Sequence, residues 1–385
     1  MNITFEQELA KLNETFFFRE FTFSQATFRP NPQDEVELSD HILWIDDIFV
    51  VYQLKERNLD SRGTAVSEER WYERKVLGKG MKQMRSTLEY LSRNETIELS
   101  NHRGDSLKLT PSKLRVLHKV ICFRSTTELP LAYRLKKYHV SRTAGIIHLF
   151  EASDYMTVVQ TLLTPSEFVD YLAFREELIE KWGARVDAVS EKAILGQYLV
   201  GSSDTQPAND FLFYLETLRH EIDEWDVSNI IHLFPQRMTF PQYSTDYYKI
   251  IAEIAKLKRN ELREFKKRFV MSIANCRSSK FTQPYRFYSP RIGCGFLFLP
   301  LETSMIPQRQ QGLQNLTYGC KYDFKATKCI GVSFAPDGDE WYTVEWCYIE
   351  SPWAFEEEVE IMLKESNPFR ETTVTELSRY SYSGD

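Results

Sequence analysis

The feature that most constrains the fold of this chain is a pair of short apolar segments, residues 37–45 (ELSDHILWI) and 48–57 (IFVVYQLKER). They are separated only by Asp46 and Asp47, and two β-prone segments joined by two turn-prone residues predict a β-hairpin. Alternate residues of a strand point to opposite sides of a sheet, and near the turn both sides are apolar. The hairpin is therefore expected inside a sheet that is covered on both faces.

The same hairpin predicts a polar cluster. If Asp46 and Asp47 form the turn, Asp40 lies opposite Gln53, and Lys55 lies on the same side of the sheet. Unpaired polar groups beside a buried hairpin would cost several kcal/mol. A divalent cation such as Mg²⁺ would compensate them, with Asp40 and the Gln53 amide oxygen as ligands and Lys55 assisting an attacking water. The alternative is a structural ion pair between Asp40 and Lys55.

The rest of the chain alternates helical and strand patterns, so a mixed α/β fold is predicted. Residues 4–18 have the apolar spacing of a helix, and residues 67–93 predict a long helix that Gly78 and Gly80 weaken. At 385 residues the chain is long enough for more than one domain. The boundaries predicted from these patterns and from the linker-like segment GSSDTQPAND are a domain at 1–150, a helical extension at 151–200 and an α+β domain at 201–385.

The charges of the chain are segregated. The formal net charge is −7, which by itself argues against a nucleic-acid partner. However, Lys75, Lys79 and Lys82 recur at steps of four and three on the predicted helix 67–93, with Gln83 beside them. Such a stripe suits contacts with a phosphate backbone, and a solvated helix face is the alternative.

These features together resemble the PD-(D/E)XK nuclease superfamily, also called restriction-endonuclease-like. In that superfamily an acidic residue on one strand is followed by (D/E)xK on the next strand and then by a basic helix. Asp40 and the QLK segment at 53–55 match this motif, and the resemblance covers about residues 4–125. It implies an N-terminal mixed sheet flanked by helices, with hydrolysis of phosphodiester bonds that depends on Mg²⁺ or Mn²⁺.

The resemblance also implies roles for particular residues. The expected catalytic residues are Asp40, Gln53 and Lys55, the expected metal ligands are Glu6, Asp40 and Gln53, and the expected nucleic-acid contacts are Lys75, Lys79, Lys82 and Gln83. Glu20 is a weaker alternative to Glu6. Glu37 is also weaker, because a regular strand would point it away from Asp40.

Two departures from the family pattern affect the expected activity. Gln53 replaces the usual Asp or Glu, which removes one negative ligand. Gln83 is followed by Thr87 instead of a tyrosine at the fourth position, which counts against an exonuclease and favours an endonuclease.

Location and partners are expectations from composition and analogy. The six cysteines form no CxxC pair, and no apolar run approaches the ~18 residues of a membrane span, so a soluble cytoplasmic protein with reduced thiols is expected. DNA is favoured over RNA as the partner, and the C-terminal domain could bind a protein. A role in antiviral genome defence or in repair rests on fold analogy alone. The competing hypotheses are a catalytically silent nuclease-like scaffold and a pure interaction protein.

Overall fold

The computed structural model describes residues 3–31, 34–58, 63–234, 245–276, 282–338 and 341–384. The chain divides into two compact units, Met1–Arg219 with Tyr380–Asp385, and His220–Arg379. The first unit thus includes the helical segment 151–200 and the linker-like segment 201–210. The predicted mixed α/β fold is confirmed, because the first unit contains a six-stranded sheet with parallel and antiparallel neighbours and the second unit contains its own four-stranded sheet.

The sheet of the first unit is built around the predicted hairpin. The described strands of this unit are β1 (Thr22–Asn31), β2 (Asp34–Ile45), β3 (Ile48–Glu56), β4 (Ile97–Ser100), β5 (Ser106–Leu109), β6 (Val116–Arg124), β7 (Tyr138–Ser141) and β8 (Gly145–Glu151). Six of them form a sheet in the order β1-β2-β3-β6-β8-β7, while β4 and β5 form a separate pair. Strand β6 is parallel to both β3 and β8, and the other neighbours are antiparallel.

Helices cover both faces of this sheet. The described helices of the unit are α1 (Phe5–Phe17), α2 (Ala65–Trp71), α3 (Gly80–Arg93), α4 (Leu131–Arg134), α5 (Ala152–Leu162), α6 (Pro165–Trp182), α7 (Glu191–Val200) and α8 (Leu212–Glu216), with short 3₁₀ segments at Pro111–Lys113, Gly183–Ala188 and Asn209–Phe211. On one face Phe49 and Val51 pack in a core with Met84 of α3. On the other face Tyr52 meets Tyr155 of α5 at a ring-centroid distance of 5.9 Å. The hairpin is therefore covered on both sides, as predicted.

The long helix predicted at 67–93 contains a change of helix type. It begins at Ala65 and is capped by Thr64, whose hydroxyl accepts the backbone N–H of Ser67. Tyr72–Lys79 then forms a π-helix before α3 continues to Arg93. Gly80 permits a close approach to the sheet, because a Cβ there would lie 3.0 Å from Cδ1 of Ile121. The predicted long helix is confirmed, since residues 65–93 are helical throughout. Its middle part is π-helical, and π-helical segments often occur at functional sites.

The second unit has a smaller sheet with helices around it. Its described strands are β9 (Tyr285–Ser289), β10 (Cys294–Pro300), β11 (Lys328–Asp337) and β12 (Trp341–Glu350), in the order β12-β11-β10-β9. Its described helices are α9 (Ile222–Trp225), α10 (Ser228–His232), α11 (Tyr248–Ala255), α12 (Arg259–Cys276), α13 (Arg309–Asp323) and α14 (Glu357–Glu365), with a 3₁₀ segment at Thr303–Gln308. In the described parts of both units, no helix is long and apolar enough to cross a membrane.

Candidate functional site

The β2–β3 hairpin keeps the predicted register only as far as His41. The pairs from Ile45 with Ile48 to His41 with Tyr52 form as expected. The predicted pairing of Asp40 with Gln53 was wrong. Beyond His41 and Tyr52, hydrogen bonds from side chains to the backbone replace the backbone-to-backbone hydrogen bonds of the two strands. The hydroxyl of Ser39 donates to the carbonyl oxygen of Tyr52, and the Asp40 carboxylate accepts the backbone N–H of Leu54. Hydrogen bonds from side chains to backbone compete with a regular strand in this way.

Asp40, Gln53 and Lys55 nevertheless converge. The Lys55 ammonium lies 3.2 Å from Asp40 Oδ2 and 3.4 Å from Gln53 Oε1, and it donates to the Leu54 carbonyl oxygen at 2.7 Å. Gln53 is 2% exposed and Lys55 is 8% exposed. Burial lowers the pKa of Lys55 below its ordinary value, although the neighbouring Asp40 carboxylate opposes this effect. The lysine is thus a buried cation held in place by three acceptors.

Two further carboxylates face the same centre. Burial and the negative charge of Asp40 raise the pKa of Glu6, which lies in the first turn of α1. Burial also raises the pKa of Glu37, and so do the charge of Asp40 and a hydrogen bond to it. The expectation that Glu37 points away from Asp40 was wrong, because β2 is irregular at Ser39 and Asp40. We call Glu6, Glu37, Asp40 and Lys55 the carboxylate–lysine site.

Glu20 lies elsewhere. It is 1% exposed, and its carboxylate forms an ion pair with Arg103 at 2.8 Å. Glu20 is not among the groups that shift the pKa of Glu6, Glu37 or Lys55. Of the two glutamates, Glu6 lies near Asp40 and Glu20 does not. The sequence had favoured Glu6.

A pocket of about 310 Å³ lies next to this site. Most of its polar lining comes from residues predicted as functional, namely Glu37, Gln53, Lys79, Lys82 and Gln83, and the remaining residues around it are Val36, Leu38, Ser86 and Tyr90. The Oε1 atom of Gln83 is buried and has no hydrogen-bond partner in the described part of the chain. An unpaired buried acceptor is costly, so a ligand that donates a hydrogen bond here would relieve that cost.

Two of the three lysines of the predicted stripe line this pocket. Lys75, Lys79 and Lys82 are all exposed, but only Lys79 and Lys82 are among the residues that line the pocket. The spacing of four and three places residues on one face only in a regular α-helix. Tyr72–Lys79 is π-helical, so the α-helical spacing does not hold between Lys75 and Lys79.

A second polar cluster was not predicted as a site. Ligand-capable atoms of His118, His148 and Glu176 lie within 4.8 Å of one another. His118 Nδ1 and His148 Nε2 are 3.1 Å and 3.2 Å from Glu176 Oε1. The two histidines come from the neighbouring strands β6 and β8, 30 positions apart in the sequence, and no HxH or HExxH spacing marks them.

The surroundings of this histidine cluster favour a hydrogen-bond network over a metal centre. Arg175 Nη1 lies 3.1 Å from His148 Nδ1. Arginine can only donate, so Nδ1 accepts and the ring proton sits on Nε2, where it is directed at Glu176. Burial lowers the pKa of His148 to about 3, which keeps the ring neutral. A metal would need the Nε2 lone pair, which this tautomer does not offer.

Comparison of the chain with protein-family models, with curated proteins and with solved structures gave no match. The resemblance to PD-(D/E)XK nucleases therefore stays a prediction from the residues.

Proposed function

We propose that this chain is a metal-dependent nuclease that hydrolyses phosphodiester bonds at the carboxylate–lysine site. One observation carries the proposal: the buried ammonium of Lys55 contacts the Asp40 carboxylate at 3.2 Å, and two more carboxylates, those of Glu6 and Glu37, lie close enough to feel the charges of both. The adjoining pocket carries Lys79 and Lys82. Acidic groups that can hold a cation thus stand beside basic groups that can hold a phosphate.

The residues present fit a divalent cation. Mg²⁺ and Mn²⁺ prefer hard oxygen ligands, which Glu6, Glu37, Asp40 and the Gln53 amide can provide. The raised pKa values of Glu6 and Glu37 reflect burial and mutual repulsion with Asp40, and a cation would offset both. When bound, such an ion would polarise a phosphoryl oxygen and lower the pKa of a ligated water.

The protein's own groups would position the substrate and manage charge. Lys55, fixed by Asp40 and Gln53, would orient the attacking water and stabilise negative charge that develops on the phosphate. Lys79 and Lys82 would contact backbone phosphates, which supply most of the non-specific affinity for nucleic acid. The unpaired Oε1 of Gln83 would accept a hydrogen bond from the substrate.

The finer assignments belong to the same proposal. DNA is the proposed substrate, and internal cutting is favoured over cutting from the ends. The six cysteines are all free thiols, which is compatible with the reducing cytoplasm. A role in genome defence or repair, and a protein partner for the second unit, rest on analogy.

A catalytically silent scaffold is the second candidate. The observation that favours it is that Gln53, a neutral group, occupies the position where the motif has an acid, while Lys55 is already paired with Asp40. This candidate predicts binding of nucleic acid that weakens with salt, without cleavage.

Cleavage of supercoiled plasmid, linear DNA and RNA by the purified chain with Mg²⁺ or Mn²⁺ tests the proposal. We expect cleavage that EDTA abolishes and that Asp40→Asn removes. Asn at position 40 can still accept the Leu54 N–H but lacks the charge. Asp204→Asn, at an exposed carboxylate paired with Lys181, is the matched control and should cleave normally. Metal-independent cleavage, or full activity of Asp40→Asn, would overturn the proposal, and salt-sensitive binding alone would establish the scaffold.

Metal binding also predicts a stability change. At a concentration 100 times Kd, Mg²⁺ or Mn²⁺ should stabilise the first unit by about 2.7 kcal/mol, a rise in Tm of roughly 5–10 °C for a unit of this size. Because the folded-state pKa values of Glu6 and Glu37 are raised, their ionisation destabilises the metal-free fold as pH rises through those pKa values. The metal must replace these protons, so the rise in Tm should be larger at pH 8 than at pH 5.

The doubly substituted Glu6→Gln/Glu37→Gln chain is the informative comparison. Without metal it should be at least as stable as the wild type at pH 8, because the repulsion of these two carboxylates with Asp40 is gone. With metal, its Tm should change little. Differential scanning fluorimetry measures both, and an equal rise in Tm for the two chains would place the metal elsewhere.

A further inference from the structure

A hydrogen-bonded chain of Ser24, His102 and Glu14 lies outside the carboxylate–lysine site. Ser24 Oγ is 2.9 Å from His102 Nε2, and His102 Nδ1 is hydrogen-bonded to Glu14 Oε1. Ser24 lies on β1, His102 follows β4, and Glu14 lies near the end of α1. The order hydroxyl, imidazole and carboxylate is that of an activated nucleophile with its base and the group that orients the base.

The neighbouring His41 indicates the direction of these hydrogen bonds. Its Nδ1 is 2.9 Å from Ser24 Oγ, and the ring is fully buried with no hydrogen-bond partner for Nε2 in the described part of the chain. A neutral ring has one N–H, and a buried N–H without a partner is rarer than an unpaired acceptor. The proton therefore belongs on Nδ1, where it is donated to Ser24 Oγ.

This position of the His41 proton determines the direction of the hydrogen bonds between Ser24, His102 and Glu14. Because Ser24 Oγ accepts from His41, its own proton is free to be donated to His102 Nε2. The ring proton of His102 then lies on Nδ1 and is donated to Glu14. This is the tautomer in which an imidazole can remove a hydroxyl proton as a general base.

The site is open enough to react. Ser24 is half-buried, and the side chains of His102 and Glu14 are 15% and 22% exposed. The next residue, Gln25, has a φ of 46°, a strained value for a residue other than glycine. Strain of this kind clusters at functional sites. The register of β1 with β2 then shifts close by, between Ala26 and Thr27.

We propose that Ser24 is the nucleophile of a second, metal-independent site that hydrolyses small carboxylic esters. Ser24 Oγ bonds to the carbonyl carbon while its proton passes to His102 Nε2. The ester C–O bond then breaks, and the alcohol leaves with that proton. Water, deprotonated by His102, attacks the acyl-Ser24 ester, which releases the carboxylic acid and returns the proton to Ser24. A small acyl group fits best, because two imidazole rings already contact Ser24 Oγ.

Hydrolysis of p-nitrophenyl acetate by the full chain in EDTA tests this site apart from the nuclease. Ser24→Ala and His102→Gln should each lower the rate by about 10²–10⁴-fold. Ser100→Ala should leave the rate unchanged, because the side chain of the exposed Ser100 is hydrogen-bonded to the Ser106 hydroxyl and to no imidazole of the described residues. Circular dichroism spectra and melting temperatures of the variants would verify that each is folded.

Covalent labelling supplies an independent readout. A fluorophosphonate probe should form an adduct that peptide mass spectrometry locates at Ser24, and His102→Gln should suppress it. In the Ser24→Cys chain, His102 should raise the rate of alkylation by iodoacetamide, since a neighbouring imidazole favours the thiolate. Hydrolysis that survives Ser24→Ala, an adduct at another serine only, or alkylation that His102→Gln does not slow would overturn the proposal and leave a structural hydrogen-bond chain.

Discussion

Lys55→Met should reduce metal-dependent cleavage of plasmid DNA by about 10²–10³-fold, the effect of removing one group that stabilises transition-state charge. Methionine is unbranched and fills the space of the lysine stem, so packing beside β3 should survive. What is lost is the ammonium that contacts Asp40 and Gln53. The measurement is the initial rate of plasmid nicking at saturating Mg²⁺.

Metal binding should respond differently from cleavage. Lys55 and a cation compete for the charge of Asp40, so the metal-induced rise in Tm should persist or increase in Lys55→Met. Lys108→Met, at an exposed position of β5, is the matched control and should cleave like the wild type. If Lys55→Met cleaves normally while Asp40→Asn is inactive, Lys55 is only the structural partner of Asp40.

The sequence predicted the hairpin well because its register depends on local features. The two-residue turn and the apolar pattern set the pairing, and the structure keeps that pairing from Ile45 with Ile48 to His41 with Tyr52. A shift by one residue would have turned buried side chains such as Val51 to the opposite face. The convergence of Asp40 and Lys55 could therefore be predicted, even though the ladder ends between His41 and Asp40.

The errors arose where side chains replace regular backbone pairing. A prediction from periodicity assumes a regular strand. It does not indicate that the Ser39 hydroxyl donates a hydrogen bond to the carbonyl oxygen of Tyr52. This irregularity accompanies the hydrogen bond between Glu37 and Asp40, which a regular strand would prevent. In the same way, the lysine spacing assumes an α-helix, whereas Tyr72–Lys79, which contains Lys75 and Lys79, is π-helical.

The remaining clusters were invisible in the sequence because tertiary contacts assemble them. His102 is 78 positions from Ser24 and 88 positions from Glu14. No sequence motif relates residues that are so far apart, and none of the three residues alone indicates a functional site. The same holds for Arg175, whose sequence neighbours on α6 give no sign of the network that it enters.

Arg175→Met should destabilise the first unit by about 3–5 kcal/mol, the range for removing one partner of a buried ion pair. Arg175 is fully buried, and its guanidinium lies 3.1 Å from Glu191 Oε1. It also donates to the carbonyl oxygens of Lys137 and Leu149 at 3.0 Å and 3.2 Å. Methionine would keep much of the apolar contact but would leave the Glu191 carboxylate buried with its charge uncompensated.

Urea unfolding followed by circular dichroism measures this loss. Arg185→Met is the matched control: Arg185 is exposed, donates to the Gln206 side chain at 3.3 Å and lies 6.0 Å from the centre of the Trp182 ring. It has no buried charge partner among the described residues, so its stability change should stay within about 0.5 kcal/mol. Adding Glu191→Gln to Arg175→Met should recover part of the stability, because the unpaired charge is removed while the Tyr171 hydroxyl, 2.5 Å from Glu191, keeps an acceptor. A loss under about 1 kcal/mol for Arg175→Met, or no recovery in the double variant, would show that charge pairing at Glu191 does not hold this core together.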